Sequence, residues 1–554
     1  MRQTTLCGPL EVKPESCSRL VALIEELKRR EDKLADPTLP NFSRFQARIP
    51  TLHFLSMSIF PAAEYDPLFI IEANFDGTPG PFWGQLESVA GEMIRAMIRC
   101  CKRPLDATGE LYDAVTADES RAAVARYLEA RTQRPSVFHH GNRGLGRDRI
   151  LDDHSLFLAL RAEVDRPCGG QTSLLRAARP AEIHRRLRER LLRDHLWLDL
   201  PPPRRIGRGE RIGDVLRLLQ FVVVTLIALT LPGLILAALL PWQIYLVLVG
   251  VAAAILLGLI YRNRHAIAGT EVINRGKVKL PGLGKLLLLL LGLATYVALA
   301  TLVLSPIVLG VHATSLLAQF FNLGSSIDLG GAVRVAARSV ALGLVSLAAV
   351  IPMIVLVLRY NEMRDSSQDA PPQDEHRLRE MVRREDWITQ NHMGSIVSIK
   401  PGFLRSAIIR AGHLGLGLML RVTATNGYLG SMRTVHFAHW AFLNNNSRLL
   451  FFSNFDHSWD SYLDDFIEKA HAGLTLAWGS GVGFPPTRLL IYDGASHGRQ
   501  FKNWALASRS VSRLWYSAYP DLTVDQVERN HEIANGLRRR QMSDEEAGTW
   551  LQRL

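Results

Sequence analysis

Five cysteines are present, Cys7, Cys17, Cys100, Cys101 and Cys168, and none forms a Cys-x-x-Cys pair. That leaves no zinc ligand set and no disulfide framework, and it points to a reducing compartment. No Walker A sequence and no His-Glu-x-x-His helix occur. The run GNRGLG, Gly141 to Gly146, misses the dinucleotide spacing, and GSGVG, Gly479 to Gly483, lacks a nucleophile elbow's central serine. The start, MRQTTLCGPLEVKPESC, has neither the basic end nor the apolar core of a signal peptide, so the first soluble region is expected to stay cytoplasmic.

Charge is missing over long stretches in the middle. From Leu218 to Tyr261 the chain is nearly unbroken hydrocarbon, and further runs lie from Leu286 to Val311 and from Ser339 to Leu358. At about 20 residues per crossing, four spans are expected. Arginine and lysine gather before the first span (Arg204, Arg205, Arg208, Arg211), between the second and third (Arg262 to Lys285) and after the fourth (Arg359, Arg364). The opposite loops carry little, so both soluble regions are expected on the cytoplasmic side of the inner membrane. Pro232, Pro241, Pro306 and Pro352 leave open an alternative in which some segments enter only part-way.

Lys and Arg outnumber Asp and Glu by 65 to 53, and because the excess sits beside the spans it suits anionic lipid better than nucleic acid. Before the first span, Ile183, Leu187 and Leu191 share one helical stripe among many arginines. Such a helix either lies on anionic lipid or packs on its own domain. The polar run from Asp365 to His376 reads as a linker.

The two soluble regions repeat a pattern. TLHFLSMSIF (Thr51 to Phe60) and TVHFAHWAFL (Thr434 to Leu443) are each followed by a turn, a second strand ending in Asn-Phe-Asp (Asn74 to Asp76, Asn454 to Asp456) and an amphipathic helix. Near the ends, Asp148 to His154 matches Asp525 to His531 in spacing. Three matches in register imply a duplicated α+β module with the spans inserted between its copies. Further strands are expected near Leu489–Ala495 and at RLWYSAY, with helices around Phe501–Ser508 and at the close. The expected units are a first module at 1–170, a basic segment at 171–213, the spans at 214–360, a linker at 361–384 and a second module at 385–554.

Antiparallel strands with helices on one face make a ferredoxin-like module, two of which are expected to form a pseudo-symmetric pair. In element order the chain resembles the dimeric α/β-barrel superfamily, which includes dye-decolourising peroxidases and chlorite dismutases. The runs QNHMGSIVSIKPGFLR, HFAHWAFL and LLFFSNFDHSWDSYLDDFIEKA also resemble a poorly characterised bacterial family of membrane-associated proteins. The resemblance implies a membrane-bound oxidoreductase with haem as candidate cofactor, or a non-catalytic scaffold for a peroxidase-type protein partner. The peroxidase pattern Gly-x-x-Asp-Gly is not reproduced: NFDG at Asn74–Gly77 keeps only Asp-Gly, and NFDH in the second copy loses the glycine.

Strand alternation directs His53 and His436 into apolar surroundings, as haem ligands, proton acceptors or hydrogen-bonded core residues. Asn454 and Asp456 either cap the following helix or complete an acid–base set with His436, and Asp76 with His53 is the matching pair. His392, which has no counterpart in the first copy, is a lid, a ligand or a surface loop residue. His439 is expected on the opposite face from His436. Any chemistry is placed in the second module, around His436, Asn454 and Asp456, and no metal site is expected.

Overall fold

The structure, a computed structural model, describes all residues except 1, 32–40, 62–64, 167–177, 203, 269–282, 320–328, 367–371, 386–388, 425, 430–431 and 511. Cys168, the basic residues Arg275, Lys277 and Lys279, and the middle of the 365–376 linker therefore lie outside the described residues.

The N-terminal half runs β1 (Gln3–Glu11), α1 (Cys17–Glu31), β2 (Leu52–Phe60), β3 (Leu68–Asp76), α2 (Pro79–Arg99), β4 (Val137–His140), α3 (Arg147–Val164) and α4 (Pro180–Leu191), with shorter helices between. The apolar region holds α5 (Arg208–Leu239), α6 (Trp242–Arg262), α7 (Leu283–Gln319), α8 (Leu329–Val345) and α9 (Leu347–Met363). The C-terminal half follows with β5 (Gln390–Ser398), α10 (Phe403–Thr423), β6 (Val435–Leu443), β7 (Arg448–Asp456), α11 (Trp459–Lys469) and α12 (His471–Trp478). It closes with β8 (Thr487–Arg488), β9 (Tyr492–Asp493), α13 (Gly498–Ser508), β10 (Arg509–Ser510), β11 (Ser512–Ser517), α14 (Val524–Arg538) and α15 (Asp544–Leu551).

Two main sheets form, ordered β1-β3-β2-β11 and β10-β5-β7-β6-β4, each with its paired strands antiparallel. They face one another, and helices cover their outer faces. Every residue of β2, β3 and β7 is consequently buried, which explains their near-continuous apolar runs. Leu55, Met57, Phe69 and Ile71 pack outward with Trp83 and Leu86 of α2. Trp440 and Phe451 do the same with Trp478 and Trp504. Between the sheets, Phe60, Leu68, Ile70, Ala441, Leu443 and Phe452 close one end of the layer.

Each sheet takes a strand from the other half of the chain. β11 pairs with β2 in the first sheet, and β4 pairs with β6 in the second. The two halves agree position for position. Gln3 pairs with Asp76 as Gln390 does with Asp456. Register shifts fall at His53, between Leu52 and Phe54, and at His436, between Val435 and Phe437. The visiting strands also match, Ser517 opposite Phe54 and His140 opposite Phe437. After each second strand the backbone turns through a positive φ, +104° at Gly77 and +67° at His457. That accounts for the glycine of NFDG, and the second half places a histidine, His457, in the same left-handed region.

One local expectation differs from what forms, and one open alternative is decided. Instead of one strand over Leu489–Ala495, the chain makes a two-residue hairpin, β8 with β9, whose tip holds Leu489 and Leu490 at φ +53° and +63°. The Glu362 carboxylate at the end of α9 accepts hydrogen bonds from both tip amides at 3.0 Å, which favours the tight turn over an extended strand. The stripe of α4 is spent inside the protein: Leu187 and Leu191 pack with Ile533, Leu537 and Trp550, and His184 Nε2 lies 3.0 Å from the Gly536 carbonyl. That face is not free to enter lipid.

Four helices among the described residues are long and apolar enough to cross a membrane: Arg208–Ala237, Trp242–Arg262, Gly331–Met363 and Phe403–Thr423. The first three contain the expected first, second and fourth spans. The expected third lies in α7, where Leu290–Ser305 counts as a shorter apolar stretch. Helix continues through Pro232, Pro306 and Pro352, while Pro241 caps α6. Close packing inside the bundle relies on small residues, since a Cβ on Gly233 would meet Ser346 Oγ at 2.2 Å. The Phe403–Thr423 helix, α10, is a poor crossing candidate despite its length. Its mean hydropathy is 1.2 against 2.3 to 2.8 for the others, and His413 is buried with its ring nitrogens 2.9 Å from Ser136 Oγ and from the Ala477 carbonyl.

The exchange of strands makes a prediction. A fragment of residues 1–166 lacks β11 and so exposes the long apolar edge of β2, a template for aggregation. Expressed alone it should elute aggregated on size-exclusion chromatography while the full chain in detergent elutes as one species. A monomeric, cooperatively melting fragment would show that the visiting strand is dispensable.

Candidate functional site

Both Asn-Phe-Asp motifs end at buried carboxylates with two tasks each. Asp456 Oδ1 lies 2.8 Å from His436 Nε2, and its Oδ2 accepts the backbone N–H of Val524, the first residue of α14, at 2.8 Å. Asp76 Oδ2 accepts the N–H of Arg147, the first residue of α3, at 2.8 Å and lies 3.2 Å from His53 Nε2. An aspartate at a helix start satisfies an amide that the helix leaves unpaired and meets the positive end of its dipole. The two pairs are unequal. The second is a well-aligned hydrogen bond, whereas His53 turns its Nδ1 to the hydroxyl of Tyr519 at 2.8 Å.

Further along the same layer runs a polar chain that starts in the first half. His140 Nε2 lies 2.9 Å from Thr5 Oγ1, which donates to Asn74 Oδ1 at 2.8 Å, and the Asn74 amide donates to Glu72. Glu72 is fully buried, with His392 Nε2 3.5 Å away and His439 Nδ1 4.0 Å away. Ser512 Oγ holds the other nitrogen of His392 at 2.6 Å. Glu72 Oε2, His392 Nε2 and both His439 nitrogens have no hydrogen-bond partner. Burial alone would raise the Glu72 carboxyl, but the nearby imidazoles of His392 and His439 and the Asn74 amide outweigh it and leave the group below the ordinary carboxylate range. His439 is held down to about 4 by burial, and so is His139, while His140 lies well below its ordinary value. Among the described residues no group of three His, Cys, Asp or Glu has metal-ligand spacing.

The residues singled out from sequence thus fall into two places. His436 with Asp456, and His53 with Asp76, sit around Tyr519 at one end of the layer. His392 is no loop residue; it lies on β5 and faces Glu72 with His439. Asn454 does not touch His436 but accepts from Trp515 Nε1 at 2.9 Å. Glu72, Thr5, His140 and Tyr519 were missed. Glu72 had a signal, a carboxylate in the middle of the apolar run LFIIEANF, whereas Tyr519 reaches the site only because β11 crosses to the other sheet.

A macrocycle does not fit at either histidine. Phe54 and Tyr519 stand 5.4 and 5.9 Å from the ring of His436, and Phe437 and Tyr519 stand 5.3 and 5.8 Å from that of His53. Those three side chains fill the space that iron porphyrin would take, so no step is derived through haem. No protein-family model, curated protein or solved structure matches the chain.

Two predictions follow from the buried groups. Asp456→Ala removes the acceptor of both His436 and Val524 and should cost about 2–4 kcal/mol in chemical denaturation, because two buried donors lose their partner; a cost below ~0.5 kcal/mol would contradict the pairing. His139, His140 and His439 stay neutral when folded but take up protons near pH 6.5 when unfolded. Their contribution is complete above pH ~6.5 and is lost as pH falls toward ~4. Unfolding at pH ~5.5 should therefore take up between two and three protons from these groups, and a melting temperature that does not fall between pH 7 and 5 would overturn the assignment.

Proposed function

We propose that the chain is a membrane-anchored, non-catalytic scaffold: two copies of one ferredoxin-like α+β module, folded around each other and presented on the cytoplasmic face of the inner membrane. The observation that carries this reading is the use made of the conserved-looking pairs. Asp76 and Asp456 spend their carboxylates on helix starts and histidines, and aromatic rings cover both imidazoles. What resembled an acid–base set is employed in holding the layers together. Duplication is supported by the matched registers, by the two bulged histidines, and by the crossed contacts of the closing helices. There, His531 Nδ1 lies 2.8 Å from Asp153 and Asn530 Nδ2 lies 3.3 Å from His154.

Anchoring on one side is supported from both ends of the span region. Asp214 of α5 meets Arg421 of α10 at 3.0 Å, and Arg359 of α9 donates to the Thr487 carbonyl at 3.1 Å. The chain enters and leaves the membrane beside the same soluble body, which requires an even number of crossings. Between those two ends α10 exposes Phe403, Leu404 and Leu414, and we read it as a surface helix bedded in the headgroup layer.

A second reading, an oxidoreductase-like enzyme, draws on one observation: Glu72 between His392 and His439, buried and with unpartnered atoms. A buried carboxylate between imidazoles is the kind of group that moves protons.

Two measurements test the proposal. Purified after growth with ample haem, the protein should show no Soret band; a Soret band lost in His436→Ala would restore the oxidoreductase. Glu110 and Glu545 are exposed, one in each half. In a cysteine-free background, Glu110→Cys and Glu545→Cys should resist an impermeant maleimide in intact cells and react after permeabilisation. Labelling of either from outside would sink the topology.

A further inference from the structure

The motif GNRGLG, empty as a dinucleotide loop, forms the rim of the cavity from which the polar chain starts. The loop is pressed against its neighbours: a Cβ on Gly144 (φ +83°) would meet the Arg205 carbonyl oxygen at 2.1 Å, and one on Gly141 the Val435 carbonyl oxygen at 2.1 Å. Glycine is required at both places, and the loop thereby clamps the segment that leads into the first span. The resulting cavity, about 320 Å³, lies at the foot of α5 and is lined by Arg2, Arg134, Arg143, Arg205, Arg421 and Glu210. Thr5 and His140 also line it.

Three of the five arginines are neutralised. Arg143 pairs with Glu210 and Asp214 at 2.5 and 2.6 Å, Arg421 with Asp214 at 3.0 Å, and Arg205 with Glu528 at 2.6 Å. Five guanidiniums against three carboxylates, Glu210, Asp214 and Glu528, leave an excess of two positive charges. Arg2 and Arg134 are the residues without an ion-pair partner among the described residues, and both are exposed at the mouth. The paired arginines are fixed in place by their carboxylates, so the wall is built before a ligand arrives, while the two free guanidiniums supply planar donor forks suited to phosphate oxygens.

We propose that this cavity binds a phosphate-bearing anion. Its position beside the first residues of α5 puts the bound group at headgroup level, so a membrane phospholipid and a free phosphorylated molecule are the two sources of the same chemistry. At the corresponding end of the second sheet, Gln390, Ser517 and Tyr519 are joined by hydrogen bonds. Gln390, the partner of Gln3 in the matched register, donates there to the Tyr519 carbonyl at 3.0 Å, and Ser517 donates to Gln390. The site lies mainly in the half of the chain that sequence alone does not favour. The inference rests on the scaffold reading only for its membrane side; a Soret band would refute that reading and leave this one standing.

The test uses the full chain in non-ionic detergent, with dihexanoyl phosphatidic acid, inorganic phosphate and dihexanoyl phosphatidylcholine as probes, read by thermal shift and calorimetric titration. Phosphatidic acid or phosphate should bind saturably, and Arg2→Gln combined with Arg134→Gln should weaken binding by about tenfold or more with the unliganded melting temperature unchanged. Arg134→Lys alone, which keeps the charge but not the planar fork, should weaken binding less than Arg134→Gln does. Tighter binding of phosphatidic acid than of phosphate assigns the site to lipid, and the reverse order assigns it to a soluble phosphorylated ligand. Absence of saturable binding by either anion overturns the proposal. So does an equal loss in the control Lys28→Gln with Arg29→Gln, two exposed cations on α1, because it would reduce the effect to general charge.

Discussion

The architecture depends on a carboxylate that catches a returning chain. In each half, β4 or β11 pairs with the other half's sheet, and the next helix must then come back. Asp76 receives the first amide of α3, and Asp456 receives the first amide of α14. A buried carboxylate is costly unless its lone pairs are used; Asp456 divides its two oxygens between His436 and a helix start, and Asp76 gives one oxygen to a helix start beside His53. The bonds to Arg147 and Val524 therefore cap the helices and fix where each crossing strand ends. The returning helices then pack on each other through His531 with Asp153 and through Asn530 with His154, so the halves are joined at the sheets and again at the closing helices.

This constraint accounts for why the motif residues looked catalytic. Histidine, asparagine and aspartate close together in buried strands are what an acid–base site needs, but they are also what a β-bulge facing a helix N-terminus needs. Ring packing separates the two cases. Phe54, Phe437 and Tyr519 leave no room beside His53 or His436 for a substrate-sized group. Elsewhere in the layer, Glu72, His392 and His439 also hold unpartnered polar atoms, and the hydrogen-bond chain from Glu72 leads through Asn74 and Thr5 to the arginine-lined cavity.

Much of this was legible in the sequence because it is local. The strand–turn–strand–helix pattern, the Asn-Phe-Asp ends and the apolar blocks all depend on residues within about one element of each other, where periodicity and capping chemistry speak directly. The strand exchange was not legible, because VFHH and RLWYS read the same whichever sheet receives them. Neither was the hairpin at Leu489–Leu490, whose turn is held by Glu362 from a distant helix. The stripe of α4 gave the right helix but not its partner, since Ile533 and Trp550 compete with lipid for Leu187 and Leu191 only once the chain has folded. The cavity escaped notice for the same reason: Arg2, Arg134, Arg205 and Arg421 are gathered from four separate segments.

The halves are alike in framework and unlike in what they leave open. The second sheet joins Gln390, Ser517 and Tyr519 at its end, while the first has Thr5 and His140 at the wall of the cavity at the foot of α5. The claim beneath this account is that Asp76 and Asp456 hold the crossing strands, and native-state hydrogen exchange of the Arg147 and Val524 amides tests it most directly. If the carboxylates anchor the returning helices, both amides exchange only through global unfolding, at the rate of the β2 and β7 amides. Exchange of either amide on the timescale of exposed helix ends would contradict the account.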